Sequence, residues 1–177
     1  MSLVVAIKQG KTIWMGGDSS ITFGSETIPG KEPKVFKRDG ILYGAVGASS
    51  FTNRLRLGFP TPERENMSTE EYIHIALMDT LRGFCEPEFF YDDGKKCFRS
   101  EELLIGMDGH LYQMDAALQI MECPDVFAIG EGWGRAIEII IDSKIKDPRK
   151  LIRQTIRRLA KKINVVRPPV VIEKLEC

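Results

Sequence analysis

Histidine is nearly absent from this chain of 177 residues: His74 and His110 are the only two, so a mechanism built on a histidine dyad has little to draw on. Cysteine is scarce too. Cys85, Cys97, Cys123 and Cys177 are scattered, with no CxxC pair and no histidine nearby, which argues against structural zinc and for reduced thiols in a cytoplasm. There is no excess charge of either sign, since Lys+Arg and Asp+Glu both number 25; no global field gathers nucleic acid or a membrane surface. No apolar run approaches the roughly 20 residues that span a bilayer. The opening stretch Met-Ser-Leu-Val-Val-Ala-Ile-Lys lacks the charged lead and long apolar core of a secretion signal. What remains, 43% hydrophobic and 28% charged residues, is ordinary for a soluble globular protein, and the length predicts one domain over 1–177.

The first third reads as β-rich and divided by turns. Leu3–Lys8 is almost continuously apolar, as expected of a strand buried on both faces. Thr12–Gly16 follows at hairpin distance, and Val35–Lys37 and Ile41–Val46 flank Arg38-Asp39-Gly40. Ser49–Leu57 can form a short helix that buries Phe51 and Leu55. Ser68-Thr69-Glu70-Glu71 is a capping-box pattern; the helix it opens carries Tyr72, Ile75, Ala76, Met78 and Leu81 and is expected to stop at Gly83. Phe84–Phe98 has no clear period and reads as a long loop. Leu103–Met107 and His110–Met114 flank Asp108-Gly109, the strongest hairpin signal present. Val126–Ile129 is a short strand, Trp133–Ser143 a helix, and Asp147-Pro148 caps a second helix expected to end at Pro168-Pro169, before a strand at Val170–Glu173. Strands, two helices, strands, two helices and a strand predict an α+β fold. Its architecture is a four-layer α/β/β/α sandwich of two mostly antiparallel sheets.

Chemistry enters at the beginning. Ser2 follows Met1, and Asp18 and Lys34 come after it at equal steps of sixteen residues. Removing Met1 would put a hydroxyl and a free α-amine on one residue. That amine titrates near about 7.7–8.0, so it can take the hydroxyl's proton. A Ser or Thr activated by an N-terminal amine is a known form of nucleophile and base.

Ser2-Leu3-Val4-Val5-Ala6-Ile7, Met15-Gly16-Gly17-Asp18, Lys34-Val35-Phe36, Tyr43-Gly44-Ala45-Val46-Gly47 and Phe127-Ala128-Ile129-Gly130-Glu131-Gly132, in this order and spacing, resemble the proteasome β-subunit family. Within it the chain looks like the bacterial proteasome-related peptidases and is also similar to phage-type proteasome-like proteins. The resemblance implies an N-terminal nucleophile hydrolase that cleaves peptide bonds, needs no metal or cofactor, forms a homo-oligomeric ring and takes peptides or unfolded proteins, with an ATP-dependent unfoldase as a prospective partner. It implies that Ser2 stands where the family has Thr, that Lys34 favours the alkoxide and lowers the amine pKa, and that Asp18 holds Lys34 and the terminus. Gly47 would offer its N–H to the oxyanion, with Gly44 shaping the turn.

The chain departs from the family twice. Glu131 occupies the place of a Ser that bonds the terminal amine; a carboxylate could still accept from the amine while raising its pKa. The stretch Ile163-Asn164-Val165-Val166-Arg167 carries neither the Asp nor the Ser that support the terminus. A catalytically inactive subunit with an assembly or binding role is therefore the alternative. The basic run Arg149, Lys150, Arg153, Arg157, Arg158, Lys161, Lys162 reads as a solvated or subunit-facing helix side; without interleaved aromatics it is not taken as a nucleic-acid surface.

Overall fold

Strand β1 (Leu3–Gln9) uses both sides of its apolar run. The computed structural model describes residues 2–23, 25–85, 89–92, 95–98 and 102–177. Side chains alternate along a strand, so Leu3, Val5 and Ile7 point one way and Val4 and Ala6 the other, each set into its own core. β1 is flanked by β2 (Thr12–Asp18) and β12 (Val126–Gly130), and β13 (Val170–Glu176) adds to β2, which gives an antiparallel sheet ordered β12-β1-β2-β13. A second antiparallel sheet contains β5 (Val35–Arg38), β6 (Ile41–Val46), β9 (Glu102–Met107), β10 (His110–Met114) and β11 (Ile120–Glu122) in the order β11-β10-β9-β6-β5.

Three apolar layers hold this together. Val4, Ala6, Ile13 and Met15 of the first sheet meet Val35, Leu42, Val46, Leu104 and Leu111 of the second. Leu3, Val5 and Ile7 pack under α4 (Trp133–Ile141) and α5 (Pro148–Ala160) through Ala136, Ile140, Ile152 and Ile156. On the far side Tyr43, Leu103 and Ile105 carry Phe51 and Leu55 of α1 (Ser49–Gly58) and Leu81 of a longer helical run. The result is the expected four-layer α/β/β/α sandwich.

Local signals set most of the boundaries. Asp39-Gly40 and Asp108-Gly109 both have positive φ, at 47° and 78° and at 50° and 81°, which suits two-residue turns between twisted strands. Ser68 and Glu71 form the capping box. Asp147 accepts from the Lys150 N–H at 3.0 Å, with Pro148 opening α5.

Elsewhere the structure differs from the sequence reading. The helical run Thr69–Glu71 (α2), a π-helical stretch Tyr72–Leu77 and Met78–Cys85 (α3) passes through Gly83. Phe84 explains the extension: its ring lies 5.2 Å from Phe59 and 6.2 Å from Phe51, so ring packing against the core holds the last turn. The stretch read as a loop contains the hairpin β7 (Phe89–Asp92) and β8 (Lys95–Phe98), while 86–88 and 93–94 of that stretch lie outside the described residues. A second hairpin, β3 (Ser20–Phe23) with β4 (Glu26–Pro29), lies where the sequence reading assigns no element. Finally, α5 ends at Ala160, well before Pro168-Pro169, because buried Val166 and docked Ile163 draw the following residues back onto the first sheet.

Candidate active site

The β1–β2 register pairs Val4 with Gly17, which brings Asp18 alongside Leu3. There its carboxylate is wholly buried and ringed by donors. Leu3 N–H donates to Oδ1 at 2.8 Å, Ser20 N–H to Oδ2 at 2.9 Å, and Arg167 N–H to Oδ2 at 3.4 Å. The Ser20 hydroxyl makes a short hydrogen bond to the same Oδ2. Lys34 completes the set, its Nζ 3.1 Å from Oδ2. A buried carboxylate is tolerated when donors and a counter-charge surround it in this way.

Lys34 precedes β5, and its backbone is fixed where Ala45 N–H donates to Lys34 C=O at 2.9 Å. The side chain is 13% exposed and also donates to Ser20 Oγ at 3.3 Å. Burial pulls its pKa below the ordinary lysine value, and the charge and hydrogen bond of Asp18 oppose that shift without cancelling it.

The Ser2–Leu3 peptide unit is held from both sides. Glu131 N–H donates to Ser2 C=O at 2.8 Å, opposite the Leu3 N–H bond to Asp18. This approach needs a glycine at 130. A Cβ there would sit 2.0 Å from the Ser2 carbonyl oxygen, and the backbone has φ 87°. Glu102 Oε2 secures the same glycine by accepting from its N–H at 2.9 Å. Ser2 itself is buried and lines a cleft of about 150 Å³ together with Ser20, Lys34 and Gly47. Gly47 follows β6 with φ 127°, a conformation open to glycine.

Ser2, Asp18, Lys34 and Gly47 are thus brought together. Met1, whose removal would free the Ser2 amine, lies outside the described residues. Gly44 does not shape a turn. It sits inside β6, opposite Val35 and Leu104, where a Cβ would lie 2.4 Å from Met15 Sδ and 2.7 Å from Val4 Cγ1; it sets the closeness of the two sheets. Glu131 contributes its backbone N–H, while its side chain is exposed.

The sequence reading missed Ser20, Gly130 and the backbone of 165–167. Ser20 Oγ lies 2.6 Å from Val165 C=O, and Ser19 N–H donates to Arg167 C=O at 3.1 Å. The stretch lacking both supporting side chains therefore braces Asp18 and Ser20 through main-chain groups. Gly130 stands inside the Ile129-Gly130-Glu131-Gly132 motif without a role of its own there, and Ser20 carries the signal of a hydroxyl two residues beyond a proposed site Asp. Among the described residues no group of three or more His, Cys, Asp or Glu side chains is placed to hold a metal.

No protein-family model matches the chain, and no curated protein matches it. Solved structures do. BPH from Thiobacillus denitrificans in complex with epoxomicin superposes with TM-score 0.78 at 17% identity, over 98% of each chain. HslV from Trypanosoma brucei gives 0.68 at 18% identity over 99% of both chains. Anbu, an ancestral β-subunit from Yersinia bercovieri, gives 0.67 at 15% identity over 97% of this chain and 80% of its own. The likeness spans both sheets and both helical layers, and the chain has the fold of the proteasome β-subunit-like proteins.

Proposed function

We propose that this chain is an N-terminal nucleophile hydrolase of the peptidase type, with Ser2 as the nucleophile once its α-amine is free. The observation that carries this reading is the buried carboxylate of Asp18, which holds the Ser2–Leu3 peptide with one oxygen and the Lys34 ammonium with the other. Ser2 Oγ attacks the carbonyl carbon of a peptide bond, and its proton passes to the Ser2 amine. The tetrahedral oxyanion is met by Gly47 N–H, a kind of contact worth about 2.7–4 kcal/mol of barrier. Collapse breaks the C–N bond as the amine returns the proton to the leaving nitrogen, leaving an ester on Ser2. Water then attacks that ester, giving up a proton to the same amine, and frees the acid and the hydroxyl. Lys34 supports the developing alkoxide by charge and lowers the proton affinity of the neighbouring amine. Asp18 and Ser20 position Lys34.

The substrates in this reading are peptides or unfolded proteins, and the subunits assemble into a homo-oligomeric ring in the cytoplasm that an ATP-dependent unfoldase could feed. Epoxomicin, the ligand of the similar BPH structure, is a direct probe. Intact mass before and after treatment should show a chain beginning at Ser2 and one adduct that Ser2→Ala loses, together with peptide turnover. Unchanged turnover in Ser2→Ala would defeat the proposal.

A second reading, an inactive subunit with an assembly or binding role, is favoured by one feature. The residue at 131 turns its side chain to solvent, so it gives the amine no side-chain support. A chain that retains Met1, assembles and shows no turnover is the expected result for that reading.

A further inference from the structure

We propose that the cleft beside Ser2 selects a cationic side chain, Lys or Arg, next to the bond to be cut, with Glu32 as its counter-charge. This rests on the hydrolase reading above. Most of the cleft wall is neutral: Ile21, Pro33 and Ala45 are apolar, and Ser49, Thr52 and Asn53 are polar without charge. Among the described residues, two that line the cleft carry charge, Lys34 and Glu32. The Lys34 ammonium is already matched by Asp18 at 3.1 Å. Glu32 is exposed and has no hydrogen-bonding or ionic partner among the described residues. The unmatched charge in the cleft is therefore negative.

The neighbouring cations stand outside the cleft lining. Arg54, next to Asn53, stacks its guanidinium 4.8 Å above the Phe84 ring and donates to Phe84 C=O at 3.3 Å. Lys31 is exposed and does not line the cleft. Glu32 is also held near the nucleophile by the chain itself. Pro33 restricts the backbone on either side of it, and the next residue, Lys34, is anchored to Asp18 and by Ala45 N–H. A Lys or Arg side chain entering the cleft would gain a partner, whereas an Asp or Glu side chain would meet a like charge. Because Glu32 is solvated, the selection is modest, about 5-fold between a cationic and a neutral residue, and it weakens as salt is raised.

The test uses full-chain protein and peptides that differ at one central residue: Arg, Lys, Leu or Glu. For the wild type, kcat/KM should fall in the order Arg and Lys, then Leu, then Glu. Glu32→Gln should remove the roughly 5-fold advantage of Arg over Leu, and Glu32→Lys should favour the Glu peptide. Equilibrium binding of the same labelled peptides to Ser2→Ala protein should show the same order, which keeps the inference testable whatever the turnover rate. Cleavage that survives Ser2→Ala overturns the hydrolase reading. Ser2-dependent cleavage, or binding, with one order of preference in wild type, Glu32→Gln and Glu32→Lys overturns the inference alone.

Discussion

Replacing Asp18 with Asn keeps the shape of the side chain and removes its charge. In the wild type the two oxygens accept from Leu3 N–H, Ser20 N–H and Lys34 Nζ at 2.8, 2.9 and 3.1 Å. The amide must place an NH2 group against one of these sets, so donor faces donor. Lys34, 13% exposed, is left without its counter-ion. Breaking a buried ion pair on one side costs about 3–5 kcal/mol. Lys34 can limit that cost by shedding its proton, so the lower end applies. About 3 kcal/mol corresponds to a fall of roughly 6–12 °C in melting temperature for a chain of this size.

The pH dependence has a definite sign. Native Lys34 already titrates below its ordinary value of 10.5 because of burial, so in the window below 10.5 the unfolded chain binds more protons and stability rises with pH. Losing Asp18 removes the charge that opposes this shift, and the slope steepens. Thermal unfolding followed by circular dichroism from pH 7 to pH 10 should show the Asp18→Asn deficit shrinking as pH rises. Asp18→Asn/Lys34→Met should be more stable than Asp18→Asn, since the orphaned cation is gone. A melting temperature within about 2 °C of wild type, or simple additivity in the double variant, would refute the reasoning.

Gly130→Ala is expected to cost about 3 kcal/mol or more in urea unfolding, since its Cβ would fall 2.0 Å from the Ser2 carbonyl oxygen at φ 87°. Gly44→Ala should cost about 1–3 kcal/mol through overpacking between the sheets, while under the proposed hydrolase function turnover per folded molecule is retained because Gly44 does not line the cleft. Ser20→Ala should cost about 1 kcal/mol in the same unfolding assay. Under the proposed hydrolase function it should also move the alkaline limb of the kcat/KM profile to lower pH, because Lys34 loses an acceptor 3.3 Å from its ammonium; Ser20→Thr should restore the limb.

Local physics made much of this protein legible in advance. An unbroken apolar run at Leu3–Ile7 can only be satisfied by cores on both sides, and β1 has both. Asp108-Gly109 and Asp39-Gly40 carry the positive φ values their turns need, and Ser68 with Glu71 marks a helix start. The spacing of Ser2, Asp18 and Lys34 survives as a physical cluster because the short β1–β2 connection fixes the first pair in register. Tertiary structure decided the rest. Gly44 looks like a turn residue in sequence, and only the stacking of two sheets reveals it as the point where Met15 and Val4 press close. Glu131 looks like a site carboxylate, yet the chain uses its N–H and turns its side chain outward. The support supplied by Val165 C=O and Arg167 N–H is invisible in the amino-acid string, because every residue but proline has both groups. Side-chain chemistry is written in residue identity, whereas which main-chain groups meet across some 145 positions is settled only by the path of the folded chain.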